Sequence, residues 1–505
     1  VDNNMKKNIY KSSMLTALAA SFLMACEPKI DPIGTTTNGN IDLSKYVAVG
    51  NSLTAGYADG GVYREGQLNS YPRFMAEQFK LVGGGEFAQP LFDEAQKNGS
   101  GYLAITGWSP TGTPLITNVT TELGISNISP LRYTRYEGPN NNLGIPGIRV
   151  VDIGVPAYAQ LNPYFERLLP PLTAKSYIDF VGESNPTFFS CWLGNNDVLG
   201  YATNGGSSVG INISAGFPIN AAGQPNTITA TPLFNANYDA IIEKLTANGA
   251  KGVLATIPDV ASIPFVTTVN GVVAQSAGGQ FPRITFPLPN GVTAAQANLF
   301  YTTDFDGPGP YVPCSNPGFT NGSNNFFVIN VDNPATPNVI EVRQMNPATD
   351  FFLLSAQAAL TNPTTGLAAG LGVLRPAGPG DPPAPALPNP IADNLVLDFQ
   401  EINEIRASTN AFNAKIRAKA LEKGLALVEA DALFNEIIKT GRIDGVAVTT
   451  AFVSGGLFSL DGVHLTPKGY AIVANQFIKA INKRYNTQIP LIDINARNLR
   501  GVLFP

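Results

Sequence analysis

Four short apolar runs constrain this chain more than any other feature of its 505 residues. Lys45–Gly50 (KYVAVG), Thr187–Leu193 (TFFSCWL), Lys251–Ile257 (KGVLATI) and Leu425–Ala430 (LALVEA) are rich in β-branched and aromatic residues, and hardly alternate with polar ones. A strand that is apolar at nearly every position has no face to offer water, so it belongs in a sheet covered on both sides. Between the runs lie amphipathic patterns at three- and four-residue spacing. They comprise Tyr71, Phe74, Met75, Gln78 and Phe79, then Tyr238, Ile241, Ile242 and Leu245, then Ile402, Ile405, Phe412 and Ile416. Gly249 and Gly424 are expected to cap the second and third helices, and a last helix is expected from about Pro467 to about Lys483. Strands alternating with helices predict an α/β chain, a three-layer α/β/α sandwich with a central parallel sheet. Its core is expected over residues 45–262 and 396–490.

Two stretches break the alternation. Gly200–Thr231 is mostly Gly, Ser, Asn and Ala, and Pro264–Pro390 ends in the Pro-rich run Arg375–Pro390. Structureless loops of that length are uncommon inside a compact domain, so residues 263–395 are read as an insertion with some fold of its own, a cap that shapes a substrate cleft. Both stretches leave the carboxyl ends of strands, the edge at which parallel sheets bind ligands. Residues 491–505 are read as a C-terminal tail.

The N-terminal region reads as an address. Lys6, Lys7 and Lys11 precede the apolar stretch Met14–Ala25, whose 12 residues fall short of the roughly 20 needed to span a bilayer, so residues 1–25 are expected to be a signal peptide. Leu23-Met24-Ala25-Cys26 resembles a bacterial lipobox, which implies a lipid on Cys26 and a tether over residues 26–44. The implied location is the bacterial cell envelope, at the outer membrane or cell surface, or secreted or periplasmic without the lipid.

Composition removes several functions. Charged residues make up 14% of the chain against a typical share of about 25%, and the net charge is −5, so clustered cations for nucleic acid are lacking. Three cysteines and one histidine do not supply a disulfide scaffold or a His-rich zinc site, and no metal or cofactor is expected. Asp304-Phe305-Asp306-Gly307 has the start of a calcium loop, but Pro308 stands where another oxygen ligand belongs. Cys191 is expected in the core; whether it pairs with Cys314 is open.

The single histidine, His464, stands three residues after Asp461 in a short loop before the last helix. A carboxylate at that spacing can hold one ring nitrogen and leave the other as a base. A partner nucleophile belongs at a strand-to-helix turn, and Gly50-Asn51-Ser52-Leu53-Thr54-Ala55-Gly56 follows the first strand directly. With these blocks, Asn142-Leu143-Gly144-Ile145-Pro146-Gly147 and Gly194-Asn195-Asn196-Asp197, the chain resembles the SGNH, or GDSL, serine hydrolases. The resemblance implies Ser52 as nucleophile, Asp461 and His464 as acid and base, and an oxyanion hole from the Ser52 and Gly147 N–H groups and the Asn196 amide. Asn51 stands where the family usually has Asp. A competing GxSxG motif, Gly206–Gly210, lacks a preceding strand and a following helix and is read as a loop. The expected activity is hydrolysis of carboxylic esters, either acyl lipids or acylated glycans. The alternative is an inactive surface lipoprotein that binds glycan or protein through the insertion.

Overall fold

The computed structural model describes residues 37–110, 114–126, 132–206, 226–286 and 391–495, with 499 and 501 near the end. Between 287 and 390 it describes 301–302, 312–313, 322–332, 340–357, 374–375 and 387–388. The signal-peptide stretch, Cys26, tether residues up to 36, Ser207–Gly210, Asp304–Gly307 and Cys314 lie outside these residues.

Five strands form one parallel sheet: β1 (Tyr46–Gly50), β2 (Asn142–Gly144), β3 (Phe188–Trp192), β4 (Lys251–Ala255) and β5 (Ala426–Val428). Their spatial order is β2-β1-β3-β4-β5. The chain therefore starts in the middle, steps one way to β2, and returns past β1 to build the other half. This reversal puts a switch point between β1 and β3, where parallel sheets open a crevice at their carboxyl edge. Gly50 is in register with Trp192 and with Gly144, so the segments leaving β1, β2 and β3 emerge side by side.

Strand β2 is absent from the sequence expectation because it is three residues long and begins with a polar side chain. Tertiary contacts specify it. Asn142 Nδ2 donates to Thr54 O at 2.8 Å and to Gln89 Oε1 at 3.0 Å. A Cβ on Gly144 would stand 2.4 Å from Ala55 N, so only glycine lets this strand close on the turn after β1.

Helices cover both faces of the sheet. The elements that matter below are α1 (Ser52–Ala55), α2 (Tyr71–Lys80), α3 (Tyr177–Ser184), α4 (Asn196–Thr203), α5 (Thr231–Thr246), α6 (Pro264–Ser276), α7 (Phe399–Lys423), α8 (Ala430–Thr440) and α9 (Pro467–Tyr485). On one face Tyr71 of α2 stacks on Phe477 of α9 with ring centres 4.8 Å apart, over Trp192 of β3. On the other, Phe234 of α5 stacks on Phe412 of α7 at 3.9 Å. The Tyr177 hydroxyl of α3 reaches the sheet, donating to Leu143 O at 2.7 Å.

Two boundaries differ from the sequence expectation, and one helix start that the pattern left open is set by a cap. Helix α5 stops at Thr246 with Ala247 as its cap, so Gly249 takes its left-handed conformation two residues beyond. Helix α7 begins at Phe399 because Asp398 accepts from Gln400 N and Glu401 N while Glu401 accepts from Asp398 N, a reciprocal cap whose Asp398 stands four residues ahead of Ile402. Strand β5 ends at Val428, and Ala430 already belongs to α8, whose Ala430, Leu433, Phe434 and Ile437 face the core.

Within residues 263–395 the described segments are α6 and several antiparallel pairs, including Val328–Asp332 with Ile340–Gln344. Val269, Phe327, Ile329, Val331, Met345, Phe352 and Ile391 form a core cluster separate from that of the sheet. Helix α6 touches the loop carrying His464: Phe265 N donates to Gly462 O at 2.9 Å. Among the described residues no helix is long and apolar enough to cross a membrane.

Candidate active site

The site is built at the end of β1. Asn51 caps the four-residue α1, its Oδ1 accepting from Leu53 N at 3.1 Å and its backbone carbonyl from Ala55 N at 3.0 Å. Ser52 is thereby the first residue of a helical turn, and its own N–H has no intrahelical acceptor. The Asn51 amide also donates to Asn195 Oδ1 at 3.3 Å, tying the first block to the third. Asparagine supplies both an acceptor and a donor here.

His464 Nε2 lies 2.8 Å from Ser52 Oγ, and its Nδ1 lies 2.8 Å from Asp461 Oδ2. Ser52 and His464 are 412 positions apart in sequence, and both are buried. The Asp461 carboxylate is saturated with donors. Oδ1 accepts from Val463 N and His464 N at 2.8 Å and from Ser459 Oγ at 3.2 Å, while Oδ2 also accepts from Gly60 N at 2.9 Å. Burial opposes its ionisation, but the His464 ring and these N–H donors outweigh burial and hold the carboxyl well below the usual range. An ionised carboxylate at Nδ1 keeps the proton on that nitrogen and leaves the Nε2 lone pair toward the serine. The Tyr57 ring packs against the imidazole with centres 4.3 Å apart.

Donors line the same cleft as the serine. Among the described residues neither the Ser52 N–H nor the Gly147 N–H has a protein acceptor. Asn196 Nδ2 donates to Ile148 O at 2.9 Å, which uses one of its two hydrogens. Ser52, Gly147, Asn196, Asp461 and His464 line one cleft with Tyr57, Leu199, Thr203 and Val463. All five sequence-selected residues are therefore brought together.

Several supports were not selected from sequence. Asp197 is fully buried and accepts from Val150 N at 2.8 Å and from the Thr229 hydroxyl at 2.7 Å, which clamps the Gly147 segment to the start of α4. Burial pushes its carboxyl up to about 6. Asp59 accepts from Leu460 N at 2.9 Å and from the Tyr63 hydroxyl at 2.7 Å, and its N–H donates to Ser459 Oγ at 2.9 Å. Burial raises Asp59 to about 6 as well, against those hydrogen bonds. Asp59 and Gly60 both have positive φ (52° and 81°) between Ala58 and Gly61, which exchange backbone hydrogen bonds, so this is a type I′ turn. The Asp-Gly dipeptide was the available signal for that turn. Nothing local indicates that it would deliver the Gly60 N–H to Asp461.

Cys191 is a free, buried cysteine of β3, and burial pushes its thiol up. Among the described residues no group of three or more His, Cys, Asp or Glu side chains is arranged to hold a metal ion. No family model, no curated protein and no solved structure matches the chain.

Proposed function

We propose that the chain is a carboxylic-ester hydrolase of the SGNH type that works through an acyl-serine intermediate. One observation carries this reading: the Ser52–His464–Asp461 relay, with both links at 2.8 Å, opens on a cleft that also holds two N–H groups without protein acceptors. The strand order and the convergence of four separated sequence blocks on that cleft support the SGNH assignment.

In this reading Ser52 Oγ attacks the ester carbonyl carbon as His464 Nε2 takes its proton, and Asp461 stabilises the imidazolium. The carbonyl oxygen becomes an oxyanion held by Ser52 N–H, Gly147 N–H and the free hydrogen of the Asn196 amide. Collapse breaks the bond to the alcohol, which leaves with the proton from Nε2. Water then attacks the acyl-serine, gives its proton to Nε2, and the acid departs as that proton returns to Ser52. We further propose that lipidated Cys26 anchors the chain to a membrane of the cell envelope.

A fluorophosphonate probe tests the hydrolase. Labelling of the wild type but not of Ser52→Ala or His464→Gln is expected. Absence of labelling in all three would leave the non-catalytic binding lipoprotein as the better account.

A further inference from the structure

We propose that the catalytic cleft opens away from the bilayer that holds the lipid anchor, so that the natural substrates are esters presented from the aqueous side and not the acyl lipids of that bilayer. This rests on the esterase and Cys26 readings above.

The geometry comes from α9. Thr466, two residues after His464, caps its first turn, and the helix runs 19 residues to Tyr485, about 28 Å at 1.5 Å per residue. The chain coming from Cys26 enters the fold at the far end of this helix. Gln488 N donates to Thr37 O at 2.9 Å, and a Cβ on Gly39 would stand 2.9 Å from Tyr485 O. The Tyr485 hydroxyl in turn donates to Gly252 O at 2.7 Å, at the start of β4. The anchor side is thus the amino edge of the sheet, and the cleft lies on the carboxyl edge.

Chain length limits what the anchor permits. Thr37 is 11 residues after Cys26, so the link spans at most about 40 Å when fully extended. To bring the cleft onto the bilayer, the link would have to run the ~28 Å length of α9 and also pass around the outside of a helix layer about 10 Å thick. Even a fully stretched chain would keep only about 2 Å to place Cys26 in the membrane.

Charge points the same way. Lys45, Lys251, Lys483 and Arg484 are exposed at the amino edge, and among the described residues none is within ion-pair distance of a carboxylate. Asp42 is an exposed acid of that edge. Cations near an anionic membrane surface are attracted to it by about 1 kcal/mol each.

The test uses the full lipidated chain in vesicles of phosphatidylethanolamine and phosphatidylglycerol that carry a headgroup-linked fluorescence acceptor. A fluorescent fluorophosphonate reports from Ser52, and the same dye on Lys45→Cys reports from the amino edge. Several-fold weaker quenching at Ser52 is expected, together with hydrolysis of water-soluble p-nitrophenyl acetate at the rate of the unanchored Cys26→Ser protein. Quenching at Ser52 equal to or greater than at position 45 would overturn the proposal. Failure of the esterase reading would show separately as unlabelled Ser52, and failure of the anchor reading as wild-type protein that does not float with vesicles.

Discussion

Replacing Asn196 separates the two hydrogens of one amide. The first bond, with Nδ2 at 2.9 Å from Ile148 O, belongs to the fold, and the second hydrogen is the one the proposed mechanism assigns to the oxyanion. In Asn196→Ala the loss of an oxyanion donor should lower kcat by about 10²- to 10³-fold, or about 2.7–4 kcal/mol. KM for p-nitrophenyl acetate should barely change, because the donor acts on charge that develops after binding. Loss of the Ile148 contact should cost about 1 kcal/mol of stability, read as a small fall in Tm. Asn196→Asp keeps the shape but sets a carboxylate beside the oxyanion. Two unit charges about 3 Å apart at an effective dielectric of about 20 repel by roughly 5 kcal/mol, so at pH 8 this variant should be at least about tenfold slower than the alanine one. The assay is steady-state hydrolysis with a melting curve for each protein. Wild-type kcat in Asn196→Ala, or equal rates for the two variants at pH 8, would refute the assignment of the second hydrogen.

Three further outcomes follow from the same geometry. Asp59 has its folded pKa raised to about 6 from an ordinary value of 3.8. A raised carboxyl contributes stability that is full below the ordinary value and lost as pH rises through about 6. Asp59→Asn should therefore gain stability relative to wild type between pH 4.5 and 7.5, by up to about 3 kcal/mol and read as a rise in Tm, and a difference independent of pH would contradict the shift. Asn51→Asp should retain kcat within about threefold, because Asn195 can turn its amide to donate, whereas Asn51→Leu loses both the cap and the link and should fall by more than tenfold. An imidazole-directed reagent can act only at His464, so complete inactivation should track one modified ring per chain, measured by absorbance and mass.

The legible parts of this molecule are those set by local chemistry. Strands β1, β3 and β4 announced themselves because each residue is buried on both faces, and α7 and α9 because their periodicity and Gly424 or Pro467 mark them. Asp461, His464 and Ser52 are legible from spacing and chemical type, whereas Gly147 and Asn196 follow from the family resemblance alone. What stayed hidden is set by contacts across the chain. Asn142–Gly144 becomes a strand only against β1, and Asp59, Asp197 and Ser459 acquire their roles from partners up to 401 positions away. The hairpin Tyr102–Trp108 with Pro114–Val119 and helix α8 are local elements whose apolar patterns lie in the sequence itself.

The bond between Ser52 and His464 closes a loop of more than four hundred residues. Contacts of such separation form late, since the entropy of closing the loop must be met before they return anything. Synthesis from the amino end therefore delivers Ser52 long before His464. In the proposed hydrolase the nucleophile therefore stays unarmed until the last helix docks and brings His464 to Ser52.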